Sequence, residues 1–356
     1  MKIGIITIND NRNLGNRLQN FAVQETIRRT IPNVFVETIK NTNRKQRGET
    51  LKVRIRNILH DFKNYKRTSN FRRFNKNINF SKRSFDASND NSCLNKKYDH
   101  FLVGSDQVWN PNYGWLNSID LLSFAKPEQR IAFSASFGVS EIPKEYNYEV
   151  AKQLKQFKAI SVREEAGANI VKKLTKRNDV EALVDPTMLL TTDDWDKVAK
   201  RPKRYKGEKY VLCYFLGQLS PERRKEIERV AKEKDYKIIS ILDKNDPFYA
   251  SGPSEFVWLE KHAELICTDS FHSSVFAIIN ERPFVIFDRQ GNHAKMNSRL
   301  ETLISKFELK DRWFNGETIS NNNLSVDYSK AKKILKKEQE KSLKFLKKAL
   351  DVKDEK

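Results

Sequence analysis

Four stretches of this chain place residues able to bind anions or carry protons directly after an apolar, strand-like run. After FLVG (101–104) come Ser105, Asp106, Gln107, Val108, Trp109, Asn110 and Pro111. After AISV (159–162) comes Arg163, followed by Glu164 and Glu165 where a helical pattern begins. After LICT (265–268) come Asp269, Ser270, Phe271 and His272; after PFVIF (283–287) come Asp288 and Arg289, with Lys295, Asn297 and Arg299 beyond. Open parallel sheets bind ligands beyond the carboxyl ends of their strands, where helix N-termini present free backbone amides. Cations gathered there suit a carboxylate or a phosphate, which a guanidinium can engage through two parallel hydrogen bonds.

Among five histidines, His272 differs from the rest. It falls in the first turn of a predicted helix whose N-cap is Asp269 or Ser270, so a bound anion would share its surroundings. An imidazole titrating near neutrality can both give and take a proton. The competing reading packs His272 beneath the strand ends. His60, His100 and His262 have no other candidate chemistry beside them, and His293 sits in a Gly/Asn loop. Arg163 has a plain alternative too, pairing with Glu164 or Glu165, and loop lysines such as Lys295 are ordinarily solvated.

Other motifs fail. No GxGxxG follows the first strand and no Gly-Lys-Ser/Thr phosphate loop is present, so a dinucleotide or nucleoside triphosphate site has no support. SASFG (134–138) has Ser134 where a nucleophile elbow needs glycine. Asp194 and Asp196 form an Asp-x-Asp pair, but after Thr191 and Thr192 they read as acids in a first helical turn, where the dipole favours them. No metal or cofactor is expected.

The elements that must position these residues alternate between strand and helix. KIGIITI, the loop NDNRNLGN, a helix over 17–30 and NVFVETI make a βαβ opening. Residues 41–97 interrupt the pattern and are expected as an inserted pair of helices or a partly mobile segment. From Asp99 the alternation resumes to VEALV (180–184), and after DPTMLL (185–190) a second series runs from YVLCYFLG to the helix SRLETLISKF. The predicted fold is α/β: two Rossmann-like, doubly wound domains facing across a cleft, with a basic helical insert and a closing C-terminal helix. The expected boundaries are 1–188, 189–325 and 326–356.

The 356 residues suit about two domains. Lys and Arg number 67 against 46 Asp and Glu, a formal net charge of +21, and the segment from Lys40 to Arg83 holds only Glu49 and Asp61 as acids. Such charge fits nucleic acid, an anionic membrane surface, a phosphorylated substrate, or simply a lysine-rich solvated face. Recognised nucleic-acid modules are lacking and aromatic residues do not interleave with the basic run, which argues against nucleic acid. No apolar stretch approaches the roughly 18 residues of a membrane-spanning helix. Cys93, Cys213 and Cys267 are isolated, and no secretory signal is legible, so a reducing cytosol is expected.

Read together, GSDQVWNP (104–111), SVREEAG (161–167), DPTMLL (185–190), TDSFHSSVFAI (268–278) and KMNSR (295–299) resemble the polysaccharide pyruvyl transferase family in order and spacing. The opening loop and helix, NDNRNLGNRLQNFAV, is similar to that family's N-terminus. One departure is Ser273-Ser274 after His272, where glycine and a hydroxyl residue are expected.

The resemblance implies two Rossmann-like (GT-B-like) domains and transfer of the enolpyruvyl unit of phosphoenolpyruvate onto a sugar, usually as a cyclic ketal. It makes His272 the general acid/base and Arg163, with the Lys295 region, the donor-binding cations. Asn16, Ser105, Asp106, Gln107, Trp109, Asp269, Ser270, Asn297 and Arg299 join Lys295 as expected substrate contacts. The acceptor would be a glycan or lipid-linked saccharide, with segment 40–83 touching an anionic inner membrane face. The rival readings are a nucleotide-sugar glycosyltransferase of the same architecture and a basic nucleic-acid-binding protein.

Overall fold

The computed structural model describes residues 1–9, 12–41, 64–85, 90–113, 116–290 and 298–352. They divide into two compact α/β units. The first comprises Met1–Lys63, Asn75–Leu190 and Lys337–Lys356, and the second Asn64–Phe74 and Thr191–Lys336. Among the described residues no helix is long and apolar enough to cross a membrane.

The first unit is built on a seven-stranded parallel sheet: β1 (Lys2–Ile6), β2 (Phe35–Asn41), β3 (Phe80–Phe85), β4 (His100–Val103), β5 (Arg130–Ala135), β6 (Ala159–Val162) and β7 (Glu181–Ala182). Their order is β3-β2-β1-β4-β5-β6-β7, so the chain winds one way from β1 and then the other. Ile3 and Ile5 face one apolar cluster with Val23 and Ile27; Ile6 faces the other with Phe101 and Val103. Side chains alternate along a strand, and a sheet covered on both faces is apolar on both. Helix α1 (Leu14–Thr30) follows β1, begins earlier than the predicted 17–30, and is capped by Asn13, whose side chain accepts from Asn16 N–H.

The interrupting segment separates into parts. Residues 42–63, which include His60 and half of the expected membrane-contacting run, lie outside the described residues. Helix α2 (Tyr65–Phe74) belongs to the second unit, not to an insert of the first. Buried Arg67 explains that, because its guanidinium donates to the carbonyls of Tyr249 (2.7 Å) and Ser251 (3.0 Å). Strand β3 is an edge strand that the periodicity did not predict. Its Lys82 and Arg83 are exposed, the charge by which edges resist unwanted pairing.

Helices α3 (Asn147–Leu154) and α4 (Glu165–Thr175) flank β6, and α5 (Thr192–Asp196) opens the second unit. Asp194 there closes a capping box with Thr191, as first-turn acids should. The second unit's parallel sheet has the order β11-β10-β8-β9, from β8 (Tyr210–Tyr214), β9 (Lys237–Ser240), β10 (Leu265–Thr268) and β11 (Phe284–Ile286). Helices α6 (Pro221–Glu233), α7 (Pro253–His262), α8 (Phe271–Ile279) and α9 (Ser298–Lys306) accompany it. The last helix, α10 (Ser329–Ala349), gives Phe345, Leu346 and Ala349 to the first unit's core. The predicted terminal domain of 326–356 is therefore not a separate body.

Candidate active site

In the first unit the loops after β1, β4 and β6 meet on a buried polar cluster. Gly104 makes the turn after β4 at φ +118°, and a Cβ there would stand 2.3 Å from the Phe133 carbonyl oxygen, so only glycine fits. The turn delivers Asp106, itself at φ +70°. Asp106 Oδ2 accepts from Asn16 Nδ2, and its Oδ1 accepts from Gln107 N–H (2.8 Å) and from Arg163 Nη2 (3.3 Å). The other guanidinium nitrogen, Nη1, donates to Asp185 Oδ2 at 2.7 Å. Ser105 Oγ shares that same oxygen (2.8 Å), while Thr187 donates to Oδ1 through both its amide and its hydroxyl.

Burial opposes the charge on Arg163, but Asp185 and then Asp106 more than offset it, so the guanidinium holds its proton more tightly than usual. Its side chain is 1% exposed. Glu164, next in sequence, does not pair with it by hydrogen bond; one carboxylate oxygen accepts from Ser136 Oγ and from the amides of Phe137 and Gly138, gluing β5 to β6.

In the second unit the equivalent strand ends carry Asp269, Arg289 and His272. Asp269 Oδ1 accepts from Leu216 N–H and Oδ2 from Gly217 N–H, both at 2.7 Å. Arg289 Nε reaches Oδ2 at 3.3 Å and Nη2 reaches the Asp269 carbonyl at 2.9 Å. The ends of β8, β10 and β11 are thus tied through one carboxylate. Helix α8 starts immediately beyond, with Ser270 at its N-cap and His272 in its first turn, 8% exposed. The His272 ring meets Phe271 edge-to-face at 5.4 Å, and the Arg299 guanidinium lies 5.9 Å from the Phe271 ring.

Behind His272, Ser273 Oγ donates to Glu260 Oε1 at 2.6 Å, and Ser274 Oγ donates to the Ser270 carbonyl at 3.0 Å. The two serines that depart from the family pattern therefore link α8 to α7 and to its own N-cap. Burial pushes the Glu260 carboxyl well above its ordinary value of 4.5. The folded protein consequently keeps a proton that the unfolded chain releases above pH 4.5. This residue's contribution to stability is complete below that pH and is lost progressively as pH rises above it. Glu260→Gln, which retains an acceptor for Ser273, is expected to melt higher than the parent at pH 8 and to match it near pH 4.5. Identical pH-stability curves for the two proteins, measured by thermal melts, contradict this.

The structure brings Asn16, Ser105, Asp106 and Arg163 together in one unit, and Asp269, Ser270, His272 and Arg299 into one region of the other. Several expected roles change. Trp109 is fully buried, packed against Phe137 and Phe157 with its Nε1–H on the Asp120 carbonyl, so it is a core residue and not a substrate contact. Gln107 spends its side-chain oxygen on Asn110 Nδ2. Ser105 is wholly buried on Asp185 and the Ser134 carbonyl, and Asp269 is occupied in tying strand ends. Arg163, expected to grip the donor, instead grips two carboxylates.

Lys295, Asn297 and His293 lie outside the described residues. Asp185 and Glu260 hold positions in these clusters that the sequence did not single out; the DPT that follows a strand was the available signal for Asp185. His262 stacks on Trp258 at 4.0 Å, a local surface contact. Burial pushes the Cys213 thiol up to about 12, which removes it as a nucleophile. Among the described residues no group of three or more His, Cys, Asp or Glu could hold a metal ion.

The sequence matches the family model described as polysaccharide pyruvyl transferase over residues 13–291. The chain belongs to the polysaccharide pyruvyl transferase family. That membership implies a transferase acting on polysaccharides. The match spans both strand-end regions, from the cap of α1 in the first unit to the end of β11 in the second. No curated protein matches the chain.

Among solved structures, the UDP-GlcNAc 2-epimerase of Neisseria meningitidis, determined bound to UDP-GlcNAc, is similar over 99% of this chain and 100% of its own, at 10% identity and a TM-score of 0.51. Another UDP-N-acetylglucosamine 2-epimerase is similar over 100% of this chain and 98% of its own, at 13% identity and the same TM-score of 0.51. At these identities the likeness bears on fold alone. The chain therefore has the GT-B-like α/β fold predicted from its sequence.

Proposed function

We propose that the protein transfers the enolpyruvyl unit of phosphoenolpyruvate to a saccharide, forming a cyclic pyruvate ketal. The observation that carries this reading is His272 in the first turn of α8, directly beyond β10, with Arg289 and Arg299 in the same strand-end region. Phosphoenolpyruvate carries a carboxylate and a phosphate, so cations and helix-terminal amides suit it. In this reading Arg289, Arg299, Lys295 and Asn297 hold the donor and His272 moves protons. Within the first unit, Arg163 is a positioning residue that holds Asp106.

Protonation of the donor's methylene carbon makes it a methyl group and leaves an oxocarbenium-like centre at the adjacent carbon. A sugar hydroxyl adds there and gives up its proton. The carbon–oxygen bond to phosphate then breaks, inorganic phosphate departs, and a second hydroxyl closes the ring, its proton passing to the phosphate. An imidazole alternating between its two states supplies and recovers these protons.

The test is phosphate release. Purified protein supplied with phosphoenolpyruvate and a candidate glycan is expected to release phosphate only when both are present. Consumption of a nucleotide sugar with phosphoenolpyruvate untouched overturns the reading in favour of glycosyl transfer. The protein needs no metal in this mechanism, so turnover is expected to survive exhaustive chelation. Activity lost to a chelator and restored by a divalent cation contradicts that part.

A further inference from the structure

The second unit holds a cavity of about 420 Å³ away from the carboxyl ends of β10 and β11, between α2, the 200–204 segment and the loop after β9. Five cations line it: Lys66 and Arg73 from α2, and Lys200, Lys203 and Arg204 from the connection that precedes β8. The lining contains one acid, Glu255, and that carboxylate accepts from Gly252 N–H at the start of α7. Asp246, near the same loop, is likewise spent on the amides of Ser240 and Phe248, both at 2.7 Å. Five cations against one lining acid leave the wall net positive.

The cavity is a built feature and its walls are fixed. Arg67 and Asn70 clamp α2 to the carbonyls of Tyr249, Ala250 and Ser251. Gly252 allows the close approach, because a Cβ there would stand 2.6 Å from Asn70 Cβ. Opposite, Lys200 N–H donates to the Ser254 carbonyl at 3.0 Å, and the Tyr205 ring packs edge-to-face on Trp258 at 4.7 Å. The cations then project from a rigid frame, which lowers the entropy cost of holding an anion. Besides charge, the lining offers the two-thirds-exposed ring of Tyr65, the Phe248 ring and the Ser69 hydroxyl. Aromatic faces beside hydroxyl and amide groups suit the apolar and polar faces of a sugar, and the volume falls in the range of about 300–1,000 Å³ typical of small-ligand sites.

We propose that this cavity binds a saccharide bearing more than one phosphate group. It is a subsite for the acceptor, a designation that rests on the transferase reading above, whereas the binding itself does not. Five cations on two segments match several negative charges better than a single carboxylate does.

The experiment is calorimetric titration of the full chain with fructose 1,6-bisphosphate as probe, alongside glucose and inorganic pyrophosphate. The bisphosphate is expected to bind, glucose not to, and pyrophosphate to bind more weakly than the sugar bisphosphate. Lys203→Glu/Arg204→Glu and, independently, Lys66→Glu/Arg73→Glu should each weaken binding by about tenfold or more. All four side chains are exposed, so the pairs test the site from separate segments if one variant folds poorly. His272→Gln should bind the probe like the parent. Unchanged affinity in both charge-reversal pairs, equal binding of glucose, or pyrophosphate binding as tightly as the sugar bisphosphate overturns the proposal. Retained probe binding with no turnover of phosphoenolpyruvate separates failure of the transferase reading from failure of this one.

Discussion

Replacing His272 with glutamine is expected to lower kcat by about 10²–10⁴-fold, the range that a positioned general acid or base contributes. The fold should survive. Glutamine is a good helix former of similar length, and the position lies in a first helical turn anchored by Ser274 on the Ser270 carbonyl. A variant with native circular dichroism and unchanged probe binding, but little phosphate release, fits the assignment. Turnover within a few-fold of the parent removes His272 from the chemistry and leaves it the packing role that the sequence also allowed.

The second large effect falls on stability. Arg163→Ala takes the guanidinium away from Asp106 and Asp185, two carboxylates held inside the first unit. Breaking a buried ion pair from one side costs about 3–5 kcal/mol, because the remaining charge stays in a poorly solvated place. Arg163→Lys should recover only part of that loss, since an ammonium cannot span both carboxylates as the planar fork does. Asp185→Asn made together with Arg163→Ala should be less destabilising than the two separate effects summed. Denaturant unfolding followed by circular dichroism reads all four proteins. A loss below about 1 kcal/mol for Arg163→Ala, the size of a surface pair, would show that the cluster does not hold the loops after β4 and β6 together.

The alternation of short apolar runs with amphipathic helices was enough to predict parallel sheets, because each periodicity reports which faces a segment buries. The same logic found Ser105, Asp106 and Arg163 together, as strand ends of a parallel sheet lie at one edge, whereas Asn16 came only from the family resemblance. It could not say which groups in a polar run face outward. Trp109 sits three residues from Asp106 in the same run, yet turns into the core against Phe137. Arg163 illustrates a second limit. Its local partners in sequence were Glu164 and Glu165, but its charge is met by Asp106 and Asp185, 57 and 22 residues away.

Long-range contacts also explain α2. Nothing near Tyr65–Phe74 announces that Arg67 will hydrogen-bond a carbonyl 182 residues further along, and this is what moves the helix into the second unit. The excess of basic residues was visible from composition, but composition cannot separate a solvated lysine face from the five cations that line one cavity.

The most direct measurement supplies the protein with uniformly ¹³C-labelled phosphoenolpyruvate and a candidate glycan, then follows carbon NMR of the purified glycan. The expected glycan carries a labelled methyl, a labelled carboxylate and a quaternary ketal carbon bonded to two sugar oxygens, appearing in step with free phosphate. A glycan that gains a sugar from a nucleotide donor while every labelled carbon stays in phosphoenolpyruvate would contradict it.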